Sequence, residues 1–90
     1  MRRKETVTRV IDGDTFETDR RKKAVQLANV DTPEKGQRGA PQAREKLREL
    51  IQGEEVAIET VARDKDRRSV ARVYLGRESV NKKMQDKAEK

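Results

Sequence analysis

The sequence predicts a mainly β, α+β domain: five strands forming a barrel, one helix between strands 3 and 4, and a short helix near the C-terminal end. β-branched and apolar residues cluster in short alternating runs, as half-buried strands require. One longer run, 41–52, carries its apolar residues at helical spacing instead. Gly, Asp and Pro fall between the runs, where the chain must turn.

The first strand is residues 6–11, where Val7, Val10 and Ile11 sit among threonines before Asp12-Gly13 signals a tight reversal. Residues 15–18 return as the second strand, with Phe16 at a core position. After the polar turn at 19–21, residues 24–28 form a third strand that puts Val25 and Leu27 on one face and Gln26 on the other. Residues 31–39 hold Pro33, Gly36, Gly39 and several charges without periodicity, and are read as a loop. Pro41 opens the helix, Ala43, Leu47, Leu50 and Ile51 share a face, and Gly53 suits the position just past its end. Val56, Ile58 and Thr60 alternate in a fourth strand, residues 70–75 form the fifth, and residues 63–68 connect them. Val80, Met84 and Ala88, four apart, predict a short amphipathic helix. A meander of three strands, a helix and two more strands is the element order of an OB-type five-stranded barrel. The chain is read as a single domain over residues 1–90, with 1–5 and 86–90 expected to fray.

Ninety residues suffice for one small core. Charged residues reach 44% and the net charge is +6, a balance that attracts polyanions through counterion release and also suits a well-solvated surface. Neither cysteine nor histidine is present, so disulfides, thiolate sites and imidazole chemistry are excluded. Carboxylate, water and guanidinium chemistry remain. No stretch could span a bilayer and the charged start lacks a secretion signal. A cytoplasmic location is therefore the default, or a secreted one if the sequence has been trimmed.

Three charged segments stand out: Asp12-Gly13-Asp14-Thr15, Val30-Asp31-Thr32-Pro33-Glu34 and Asp64-Lys65-Asp66-Arg67-Arg68. Two carboxylates and a backbone carbonyl suit a hard cation if separate loops converge at one end of a barrel, which makes Asp14 and Asp31 candidate ligands. Asp14 equally suits a hairpin turn and Asp31 a loop cap. Glu34 follows Pro33, which stiffens its approach, but also fits an exposed loop position. Arg68 and Lys65 are either phosphate contacts or solvated cations of a basic turn.

These segments, with Pro41 and Ala43 at the helix start and Val80-Asn81 after the fifth strand, resemble the staphylococcal (thermonuclease-type) nuclease family from about Val7 to Asn81. The resemblance implies an OB-fold and calcium-dependent hydrolysis of phosphodiester bonds in DNA or RNA. It implies that Asp14, Asp31 and the backbone oxygen of Thr32 hold Ca2+, that Glu34 activates the attacking water, and that Arg68 binds the scissile phosphate with Lys65 as a further contact. Nucleic acid is the expected partner of a monomer without membrane association.

One position departs from the family pattern. Five residues before Asp31 the family carries a phosphate-clamping arginine, and this chain has Gln26, which brings no charge. Lys22, Lys23 and Arg9 are the nearby cations that could compensate. Asp66 and Arg67 replace an aromatic residue and a glycine, and only Phe16 and Tyr74 are aromatic, a thin platform for base stacking. A catalytically inactive nucleic-acid-binding barrel and a protein-interaction domain are the alternatives.

Overall fold

The computed structural model describes residues 3–33 and 36–85. Its elements in chain order are β1 (Arg3–Asp12), β2 (Thr15–Thr18), β3 (Val25–Leu27), α1 (Ala40–Ile51), β4 (Glu55–Arg63), β5 (Ser69–Leu75), β6 (Glu78–Ser79) and α2 (Val80–Gln85). The strands run in the order β3-β2-β1-β4-β5-β6, and β3 also pairs with β5. That extra pairing closes β1, β2, β3, β5 and β4 into a ring, so the expected five-stranded α+β barrel is present. The closing ladder is parallel, with Val25, Gln26 and Leu27 opposite Ser69, Val70 and Ala71. Its continuation is a hydrogen bond from the Ala28 N–H to the Ala71 carbonyl at 2.8 Å. No described helix is long and apolar enough to cross a membrane.

The core follows the alternation in the sequence. Phe16, Val25, Leu27, Val56, Ile58, Ala71 and Val73 point into the barrel and are buried. Leu47 and Ile51 of α1 cap one side, and Val80 and Met84 of α2 complete the cluster. Helix α1 begins behind Gly39, in the left-handed region at φ 89°, and carries Pro41 in its first turn. At its other end Gly53, at φ 81°, donates its N–H to the Val7 carbonyl at 2.9 Å, which fastens the helix terminus to β1.

The structure revises several boundaries. Residues 3–5 were expected to fray, yet they belong to β1 and pair with Ile58, Ala57 and Val56 of β4. Glu5 is buried there, and its carboxylate accepts hydrogen bonds from Thr18 Oγ1 at 2.6 Å and from Arg21 Nε at 2.8 and 3.0 Å. A charge so paired holds its segment in the sheet, because losing either partner leaves the other desolvated. Strand β4 runs on to Arg63 across an irregularity between Thr60 and Ala62, which leaves Thr60 exposed rather than on the core face. The two-residue β6 is an addition to the five-strand ring. Helix α2 is described to Gln85, so Ala88 and the expected fraying of 86–90 lie outside the described residues.

Asn81 locks α2 to the barrel. Its Oδ1 accepts the Val73 N–H at 2.8 Å, while Nδ2 donates to the carbonyls of Ala28 at 2.9 Å and Ala71 at 3.0 Å. A buried amide with its hydrogen bonds made fixes orientation as well as position.

Candidate active site

Asp12 and Thr15 face each other across the β1–β2 turn, leaving Gly13 and Asp14 at its tip. The Asp-Gly signal suggests a glycine selected for positive φ, but Gly13 is not in that region. Its role is space. A Cβ on Gly13 would lie 2.7 Å from Ala43 Cβ, 3.1 Å from Thr32 Oγ1 and 3.2 Å from Thr32 Cβ. Only a residue without a side chain lets the turn, the 31–33 segment and the first turns of α1 meet. Asp14 follows this contact and Asp31 precedes it, so two loops that carry carboxylates are packed together.

Asp14 is half-buried, and its Oδ1 accepts a hydrogen bond from Thr15 Oγ1 at 2.9 Å, which orients the carboxylate. Its backbone carbonyl accepts the Leu27 N–H at 2.8 Å, tying the turn to β3. Asp31 is exposed and Thr32 half-buried. Glu34 lies outside the described residues. Among the described residues no three acidic side chains gather into a metal-binding cluster. Asp14, Asp31 and the Thr32 carbonyl offer oxygen donors alone, a chemistry that fits a hard cation such as calcium or magnesium and not a thiophilic metal.

Gln26 occupies the middle of the same surface. It lies between the buried Val25 and Leu27, so its half-buried side chain faces outward, and its Cα partners are Thr15 of β2 and Val70 of β5. Asp14 and Arg68 lie just before the strands that pair with Gln26, one ahead of β2 and one ahead of β5, and extending the register puts them about 10 Å apart along the strand direction and about 10 Å apart across it. Of the three nearby cations, Arg9 and Lys23 have other partners. Arg9 faces Glu17 at 3.6 Å, Lys23 Nζ donates to the Asp66 carbonyl at 3.0 Å, and Lys22 sits exposed in the β2–β3 turn.

Arg68 is held by its own loop. Asp64 Oδ1 accepts the N–H groups of Asp66 and Arg68, each at 2.9 Å, and Asp64 Oδ2 accepts from Arg68 Nε at 2.8 Å. The Arg68 backbone N–H is the chief reason that the Asp64 carboxyl lies below its ordinary value of 3.8; partial desolvation opposes it, and the Arg68 side chain and the Asp66 N–H lower it further. Arg68 Nη2 also lies 3.7 Å from Asp66 Oδ2. One edge of the guanidinium is thus fixed for orientation, and Asp66 competes for part of the edge that a phosphate would use. Lys65 is exposed at the loop tip.

Asp64 was not singled out as a functional residue from the sequence. The signal was an Asp opening a polar turn, a common Asx position that accepts the N–H two residues on. Arg67 reaches φ 68°, so it stands in a left-handed conformation at the position where the family pattern has glycine.

A closed α+β barrel with two carboxylate-bearing loops packed together and an arginine anchored by an acidic residue of its own loop defines an OB-like domain. The chain belongs to the staphylococcal nuclease homologue family, whose profile matches residues 24–87. It is 37% identical over 70 residues to a protein from Escherichia coli and to one from Escherichia coli O157:H7, each named an uncharacterized endonuclease. Each match covers 76% of this chain and 46% of the relative, so the chain spans about half the length of the relatives that it matches.

Proposed function

We propose that this domain is a phosphodiesterase that hydrolyses DNA or RNA with calcium, acting as a monomer and slowed by Gln26. The observation that carries the reading is the packing of Thr32 and Ala43 on Gly13, which gathers both acidic loops beside the strand that bears Gln26. Membership of the staphylococcal nuclease homologue family supports it.

In this reading Asp14, Asp31 and the Thr32 carbonyl hold the cation. A calcium ion held by these residues would supply positive charge and favour ionisation of the attacking water. Glu34 accepts the water proton as the oxygen forms its bond to phosphorus and the bond to the leaving oxygen breaks; that oxygen takes a proton from solvent. Arg68 donates hydrogen bonds to the phosphoryl oxygens, and Lys65 gives a further contact to the strand. Gln26 offers an amide hydrogen bond but no charge where negative charge accumulates. A missing donor of this kind costs on the order of 10²–10³ in rate.

The test is cleavage of single-stranded DNA and RNA with calcium or with chelator. The native protein cleaves slowly with calcium, Glu34→Gln lowers the rate by about 10²–10⁴, and Gln26→Arg raises it by about 10²–10³. Calcium-independent cleavage, or a Glu34→Gln variant with native activity, contradicts the assignment. The capture of Arg68 by Asp64 and Asp66 favours a second reading, a noncatalytic nucleic-acid-binding barrel. Salt-sensitive binding without cleavage in any of these variants supports that reading.

A further inference from the structure

At the end of the barrel where the β2–β3 turn, the end of β4 and the 64–68 loop meet, Arg21, Lys22, Lys23, Arg63, Arg67 and Ser69 surround an open cavity of about 210 Å³. Among the described residues no carboxylate lines it. Arg21 is already neutralised: its Nε is fixed on buried Glu5 at 2.8 Å, and its Nη1 donates to Ser69 Oγ at 2.8 Å. Among the described residues Lys22, Lys23, Arg63 and Arg67 join no ion pair, a state they share with other surface cations such as Arg20, Arg44 and Arg77; what sets them apart is that they surround one cavity. Arg63 Nη1 reaches Ser69 Oγ and the Arg67 carbonyl, each at 3.4 Å, and Lys23 spends one of its protons on the Asp66 carbonyl.

Four like charges around one cavity raise the local positive potential, which an entering anion would relieve. Arg67 adds an independent sign. A bulky residue in the left-handed region is costly, and such strain is retained chiefly where the side chain it positions has work to do. A glycine there would relieve the strain and remove the charge.

We infer that this cavity is a second phosphate subsite, separate from the candidate catalytic rim, that holds the backbone of a nucleic-acid strand. Arg67 and Arg68 are consecutive on one loop, so a strand with one phosphate at Arg68 can place another in the cavity. The inference rests on the proposed nucleic-acid partner and not on cleavage. It also gives Lys22 and Lys23 a place in binding.

The test measures binding of a labelled single-stranded oligonucleotide in chelator, where cleavage does not interfere, across a series of salt concentrations. Each lost phosphate contact to a single strand lowers the slope of log affinity against log salt by about 0.7. The combined variant Lys22→Gln, Lys23→Gln, Arg67→Gly therefore loses about 2 from that slope, and Lys22→Gln alone, at an exposed turn position, loses about 0.7. A control with Lys46→Gln, Arg77→Gln and Lys82→Gln removes equal charge from α1, the β5–β6 turn and α2, and changes the slope by less than one contact. Native-like slopes in the cavity variants, or an equal loss in the control, overturn the subsite while the nucleic-acid reading stands. A native protein that does not bind the oligonucleotide overturns both.

Discussion

Asp64 organises the loop that presents Arg68, accepting the N–H groups of Asp66 and Arg68 and the Arg68 Nε. Its carboxyl is depressed in the folded protein, so its contribution is fully present above the ordinary value of 3.8 and is lost as pH falls through the lower folded value. The difference in stability between the native protein and Asp64→Asn, measured by urea unfolding, is expected to stay constant from pH 7 to pH 5 and to shrink only below about 3.8. Arg67 makes a second prediction at this scale. Arg67→Gly exchanges a strained left-handed residue for one without a Cβ, at the cost of a freer unfolded chain, and should raise stability by about 0.5–1 kcal/mol in the same assay. The departure at Gln26 is readable in the sequence because it is a single identity at a motif spacing. The capture of Arg68 is not, since Asp64 four residues away is equally consistent with a solvated turn.

The turn between β1 and β2 shows how a local signal can be right for a different reason. Asp12-Gly13 marks a reversal, and one occurs, but the glycine serves the contact with Thr32 and Ala43 and not a positive φ. Those partners are 19 and 30 positions further along the chain, beyond the reach of any local pattern. Gly13→Ala is expected to displace the 31–33 segment or α1 and to cost about 1–3 kcal/mol, read as a lowered urea midpoint. Helix α1 is the most legible element, because Ala43, Leu47, Leu50 and Ile51 repeat at helical spacing between Pro41 and Gly53. The start of β1 is the least legible. Lys4 and Glu5 look like a solvated tail until Arg21 and Thr18 are brought to the Glu5 carboxylate by the sheet itself.

For the whole molecule, the element order suggests a barrel, but the three-residue parallel ladder between β3 and β5 that closes it carries no sequence signature of its own. Closure has two consequences. It sets Gln26 between the acidic turn and the Arg68 loop, and it leaves the 19–23 turn, Arg63 and Arg67 around one basic cavity. The most direct measurement of the central claim, that the two acidic loops act as one cation site, is thermal unfolding during a calcium titration. Calcium at 100 times its dissociation constant stabilises a folded state by about 2.7 kcal/mol. In a domain of this size the melting temperature should then rise by on the order of 10 °C. We expect that rise in the native protein and its loss in both Asp14→Asn and Asp31→Asn. No rise in the native protein, or the same rise in either variant, would contradict the account.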